Sequence, residues 1–202
     1  AERKAREEAE RKAREEAERK AREEAERNAK EEAERRKLVD YFDHKIPKIE
    51  KDVLMELSEQ VGNIPVVNDP SSYRAGVKIQ NNRVVILVAT GLVTNKGVNK
   101  LPDSIGNLTE LEEMSFYKGD LTSLPDSIGK LTKLKILELG SNSLIALPDT
   151  IGQMKSLEIL NISFNRLIRF PESIGQLTNL KELKAHNNKL ADTKIAGIPD
   201  SF

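Results

Sequence analysis

Cysteine is absent from the 202 residues, which excludes disulfides, thiolate metal sites and a cysteine nucleophile. Tryptophan is absent too and aromatic residues make up only 4%, so any core must be aliphatic. The two histidines, His44 and His186, cannot supply a multi-histidine metal cage. No apolar run approaches the roughly 20 residues that cross a bilayer, and no secretory leader pattern opens the sequence. Charge of one sign is also lacking: 33 basic residues balance 33 acidic ones. That balance argues against a surface built to neutralise nucleic-acid phosphates or to insert into an anionic membrane.

The charge is unevenly placed. Residues 1–37 hold 14 lysines or arginines and 13 glutamates, arranged with a period of eight as AERKAREE from Ala1, Ala9 and Ala17. These residue types favour helix, and neither glycine nor proline interrupts them. Glutamates precede basic residues by four positions, as in Glu15–Arg19, Glu18–Arg22 and Glu23–Arg27. Each such pair contributes about 0.2–0.5 kcal/mol. Alanine recurs every fourth position, so its stripe winds around a helix of 3.6 residues per turn. That does not match the 3.5-residue seam of a coiled coil. The reading is a solvated charged helix over residues 1–45, similar to single α-helix spacers; a low-complexity segment, only partly helical, is the alternative. Leu38, Tyr41 and Phe42 give its end one apolar face.

Beyond it, Pro47 suits the first turn of a new helix, and Ile49, Val53, Leu54, Leu57 and Val61 give that helix an apolar stripe ending at Gly62. Gly76–Gln80, Asn81-Asn82 and Arg83–Val88 read as two strands joined by a tight turn.

The rest of the chain repeats. Leu111, Leu134, Leu157 and Leu180 lie 23 residues apart. From each runs an L-x-x-L-x-L-x-x-N-x-L phrase, with Met114, Phe116, Ile162, Ala185 and Gly119 as substitutions. Between the phrases stand LPDSIGKLTK, LPDTIGQMKS and FPESIGQLTN. Residues four and six of each phrase point to one side of a short strand. Asn142, Asn165 and Asn188 are placed to bond backbone groups of neighbouring coils. Pro125, Pro148 and Pro171 begin an outer return, which Gly129, Gly152 and Gly175 allow to bend. One coil cannot bury its leucines alone, but stacked coils can.

This period and phrase resemble the leucine-rich repeat, in the form found in intracellular Ras-group-related proteins of plants and in prokaryotes. The resemblance covers residues 47–202. It implies an α/β fold: a solenoid with an α-helical N-terminal cap and β-hairpin at residues 46–83, and repeats over 84–202, carried on the long helix. It further implies a protein partner and, with the usual cap cysteines missing, a cytoplasmic setting.

Two departures interrupt the phrasing. Proline is expected at 98 and stands at 102, and is expected at 194 and stands at 199. Residues 90–97 and 191–197 hold the excess, as loops or as tolerated drift. Ile198–Phe202 match the start of another repeat, and Ala1 begins an octad, so the chain is expected to be a piece of a longer protein.

No catalytic constellation emerges. Ser104, Ser127 and Ser173 share one slot of successive returns, where they are expected to cap the local turn. His44 reads as a polar group at a helix end. No phosphate loop or dinucleotide fingerprint is present. No cofactor, metal or enzymatic activity is expected.

A binding face is. If residues four and six point inward, residues three, five and seven line the concave side. These include Glu113, Ser115, Tyr117, Ile136, Glu138, Ile159, Asn161, Glu182, Lys184 and His186, joined by Ile86 and Val88 of the cap strand. Phe164 stands next to them or packs under the asparagine turn. An apolar centre with charged flanks suits a protein interface, although isoleucine also favours strands for their own sake. The expected role is a non-catalytic protein-binding scaffold with the helix as rigid spacer. A structural assembly subunit, self-associating through helix or open solenoid end, and a regulatory domain of a larger signalling protein are the alternatives.

Overall fold

The computed structural model describes residues 16–30, 33, 38–41, 44–61, 64–67, 75–89 and 98–190. The insertions at 90–97 and 191–197 and the partial repeat at 198–202 lie outside the described residues.

Residues 16–30 are helical and exposed throughout. Glu16 pairs with Lys20 at 2.7 Å, Arg19 with Glu23 at 2.9 Å and Arg22 with Glu26 at 3.4 Å. The last two run basic-to-acidic, the reverse of the expected order. The octad offers each arginine a glutamate on either side, and the preference between them is only a few tenths of a kcal/mol.

The helix expected to continue to residue 45 does not. Leu38–Tyr41 form strand β1, which pairs antiparallel with β2, His44–Pro47. Valine and tyrosine are residue types that favour strands. Pro47 therefore closes a strand, and the next helix starts one residue later, spanning Lys48–Val61. Its buried face is Glu50, Val53, Leu54 and Leu57, while Met55 on the opposite side is 51% exposed.

β3 (Ala75–Gln80) and β4 (Arg83–Ala89) form the expected hairpin, with a register shift between Lys78 and Ile79. Asn81 and Asn82 have φ of 51° and 61°, the two positive values a type I′ turn demands.

β4 is also the first member of a parallel array. β5 (Glu113–Ser115), β6 (Ile136–Glu138), β7 (Ile159–Asn161) and β8 (Glu182–Lys184) follow in chain order, giving the sheet order β3-β4-β5-β6-β7-β8. Leu87, Met114, Leu137, Leu160 and Leu183 stand side by side across it and point into one core. Phe116, Leu139 and Ile162 form a second buried row. Full burial of each such side chain contributes about 1.5–3 kcal/mol.

The asparagines knit these coils together. Asn142 donates through Nδ2 to the Phe116 and Leu139 carbonyls at 2.7 and 2.9 Å, and its Oδ1 accepts the Leu121 amide at 3.1 Å. Asn165 and Asn188 repeat the pattern one and two coils on. Each amide thus satisfies buried backbone of its own coil and the preceding one.

Returns on the outer side are 3-10 turns at Asp103–Asn107, Asp126–Lys130, Asp149–Gln153 and Glu172–Gln176, each preceded by an extended proline. Two expectations fail here. The glycines serve close approach, not bending: a Cβ on Gly106, Gly129 or Gly152 would lie 2.5, 2.5 or 2.4 Å from a backbone oxygen of the next coil. Nor do the serines cap the turns. The cap position is proline, the hydroxyls of Ser127 and Ser173 have no partner, and Ser104 instead donates to Glu56 of the helix at 2.6 Å.

The helix Lys48–Val61 packs against β4 and the first 3-10 turn. Besides Glu56, Gln60 binds the first coil, donating to the Lys100 carbonyl at 2.9 Å and accepting the Asn99 amide at 3.3 Å. Glu50 reaches the hairpin, where it accepts from Arg83 Nε and, at 2.8 Å, from the Val84 amide.

Candidate protein-binding face

Register across the parallel strands sorts the expected contact residues into rows. One row runs Ile86, Glu113, Ile136, Ile159, Glu182; the next runs Val88, Ser115, Glu138, Asn161, Lys184. Because side chains alternate along a strand, both rows stand on the face opposite the buried leucines. All but Val88 keep accessible surface. Val88 is 4% exposed, in a strand end where Leu87 and Ala89 are also buried, so β4 is covered on both faces there and Val88 offers a partner almost nothing.

Ile136 and Ile159 are direct neighbours, half-buried, and bounded by Glu113 and Glu182 in their row. A cleft of about 160 Å³ opens beside Ile86, Glu113 and Ile136, edged by Lys78 and Lys135. A larger one of about 480 Å³, lined by Leu147, Arg169, Phe170 and Pro171, lies away on the outer return between two coils. Lys184 bonds Glu182 at 3.0 Å, and that carboxylate holds the ammonium above the usual lysine range.

At the rim, one residue further back, Glu112, Lys135, Glu158 and Lys181 follow one another at the repeat interval. Lys135 meets Glu112 and Lys181 meets Glu158, both at 2.7 Å.

After the strand, each coil turns through a left-handed residue: Lys118, Ser141, Phe164 and Asn187, with φ between 54° and 59°. Phenylalanine is poorly suited to that conformation. Phe164 nevertheless stands there 51% exposed, so it does not pack beneath the asparagine turn. Its ring meets His186 edge-on, centroids 5.2 Å apart at 82°. Tyr117 leans across to Gly140, where an added Cβ would lie 3.1 Å from its ring carbons. The structure thus brings Tyr117 and the Ile136–Ile159 pair onto one side of the sheet, with Phe164 and His186 at its end.

Gly140 and Ser163, which alternation also places on this face at the seventh position of their phrases, do not serve as contacts. Gly140 makes the space that Tyr117 fills; the signal was a glycine in a column otherwise Tyr117, Ser163 and His186. Ser163 is 3% exposed and serves Asn161 rather than a partner. His44 is exposed in β2, away from this face, and among the described residues no group of acidic or histidine side chains is placed to hold a metal. No helix among the described residues is long and apolar enough to cross a membrane.

The comparisons agree with this architecture. No curated protein matches the chain. Among solved structures, a plant ice-binding protein is 26% identical with a TM-score of 0.57, over 72% of this chain and 50% of that one. The BIR3–SERK2 complex of Arabidopsis thaliana is 20% identical with a TM-score of 0.53, over 73% and 87%. A plant peptide hormone receptor, RGFR1 in complex with RGF2, is 38% identical over 45% of this chain, with a TM-score of 0.43. The chain spans only 15% of that receptor and half of the ice-binding protein. The family model described as a leucine-rich repeat region matches residues 91–197, more than half of the sequence. With that match, the 23-residue coils and the asparagine bonds between them, the chain belongs to the leucine-rich repeat family.

Proposed function

We propose that this chain is a non-catalytic protein-binding scaffold that holds its partner on the concave sheet. In this reading the helix Lys48–Val61 and the β3–β4 hairpin cap the solenoid, the repeats run from residue 84, and the charged helix spaces them from whatever lies beyond. Stacked coils form extended concave surfaces of the kind repeat proteins use for binding. The observation that carries the reading is the Ile136–Ile159 pair: two accessible isoleucines in register at the sheet centre, flanked in their row by the carboxylates of Glu113 and Glu182. An apolar centre with a polar rim is the anatomy of a protein interface.

The test is a quantitative pull-down with the full chain as bait, beside an Ile136→Asp/Ile159→Asp variant whose circular dichroism matches the wild type. Partners recovered by the wild type and lost by the variant support the reading; equal recovery contradicts it. Sedimentation across a concentration range separates it from an assembly role, since a scaffold stays monomeric.

A further inference from the structure

Near the centre of the concave sheet is a carboxylate that forms no ion pair among the described residues. Glu138 lies in β6, two residues from Ile136 on the same face. Its Oε2 accepts Nδ2–H of Asn161 at 2.7 Å. Asn161 Oδ1 in turn accepts the Ser163 amide at 3.1 Å and the Ser163 hydroxyl at 2.6 Å. Those two donors fix the amide orientation, so Nδ2 must face Glu138. The carboxylate is therefore held in place rather than free to swing into water. Among the described residues it makes no ion pair: Lys184 acts on it through space but bonds Glu182, and Lys135 bonds Glu112.

Gly140, two residues further along, is buried and lets the Tyr117 ring lie close beside this strand. A Cβ there would lie 3.1 Å from Tyr117 Cδ2 and Cε2 and 3.3 Å from Asn161 Nδ2, so the ring edge and the amide converge on it. The Tyr117 ring already carries one cation, the Lys118 ammonium, 5.5 Å from its centroid, an arrangement that the ring quadrupole favours.

We propose that Glu138, beside the Tyr117 ring that Gly140 admits, receives a lysine or arginine side chain of the protein partner, next to an aliphatic residue seated on Ile136 and Ile159. This rests on the concave-face reading. Covering Glu138 with an acidic or neutral partner would strip water from a fixed carboxylate and give nothing back, whereas a basic side chain replaces that water with a charge-assisted bond.

The experiment selects binders to the full chain from a random dodecapeptide library on phage. The strongest synthetic peptides are then titrated against wild type, Glu138→Gln, Glu138→Lys and Ile136→Asp/Ile159→Asp, each checked for native circular dichroism. The peptides are expected to carry an arginine or lysine beside an aliphatic residue. Glu138→Gln should weaken them at least tenfold, and Glu138→Lys should accept their versions with aspartate in place of the basic residue. Full binding by Glu138→Gln with none by the isoleucine variant overturns the basic-residue site and leaves the concave face standing. Full binding by the isoleucine variant overturns both. Selection of acidic or uncharged peptides, or of no binder above background, also overturns the site.

Discussion

Glu50 and Arg83, 33 residues apart in sequence, join the helix to the hairpin through a carboxylate with no solvent exposure. Arg83 extends the link, donating to Thr109 at 3.0 Å, so helix, hairpin and first coil share one polar junction. Breaking a buried pair from one side leaves the other side uncompensated. Glu50→Ala also strands the buried Val84 amide. Urea unfolding should show a loss of about 3 kcal/mol. An unchanged midpoint would mean that the junction is incidental.

Burial raises the Glu50 carboxyl above its ordinary value of 4.5, against the opposing bonds from Val84 and Arg83. A raised acid binds more protons folded than unfolded, so stability falls as pH climbs from 4.5 to the folded value. Below that window the carboxyl is protonated in both states and no penalty exists; above it the penalty is complete. The difference in unfolding free energy between wild type and Glu50→Gln should therefore shift against the wild type as pH rises through the window. A pH-independent difference would contradict the direction.

The asparagine bonds order three substitutions. Asn142→Ala orphans the Leu121 amide and the Phe116 carbonyl, and Asn165→Ala the Leu144 amide, while the carbonyls shared with a neighbouring asparagine keep one donor. Each should cost about 1–3 kcal/mol in urea. Asn188 is more accessible than either, so Asn188→Ala should cost less. Equal losses at all three would deny that burial sets the cost.

Glycine contacts give a sharper contrast. In Gly129→Ala the new methyl meets the Thr150 carbonyl at 2.5 Å, and backbone cannot step aside. Thermal unfolding should show a loss of about 2 kcal/mol or more, the scale of overpacking. In Gly140→Ala it meets the Tyr117 ring at 3.1 Å, a side chain that can rotate, so the change should stay near 1 kcal/mol.

The reasons why these residues matter were unevenly legible in the sequence. The 23-residue period fixed where strands, leucines and asparagine bonds fall, because each depends on stacking alone. Asn81-Asn82 announced its turn through backbone chemistry local to two residues. The glycine contacts between coils were not legible: nothing in the phrase PDSIG distinguishes a glycine that bends from one that lies against its neighbour. At the end of the expected 1–45 helix the i, i+3, i+4 spacing of Leu38, Tyr41 and Phe42 suggested a helix face, and pairing of β1 with β2 overrode it. At the candidate face the rows followed from alternation, whereas the burial of Val88 and the Ser163–Asn161–Glu138 chain depend on side-chain positions that alternation does not set.

Phe164 should trade stability for binding. Its left-handed backbone costs about 1–2 kcal/mol, which the edge-on contact with His186 offsets by about 0.5–1.5 kcal/mol. Phe164→Asn, better suited to that backbone, should leave stability within about 1 kcal/mol of wild type or raise it. Affinity for peptides selected on the wild type should fall. A stability loss of several kcal/mol would assign Phe164 to the core instead.

Site-specific photocrosslinking tests the concave-face account most directly. A benzophenone amino acid is placed at Ile159 on the concave sheet or at Gln153, exposed on an outer turn. Both proteins are irradiated with the same bound partner. The account predicts a covalent partner adduct from position 159 and none from 153; adducts from 153 alone would contradict it.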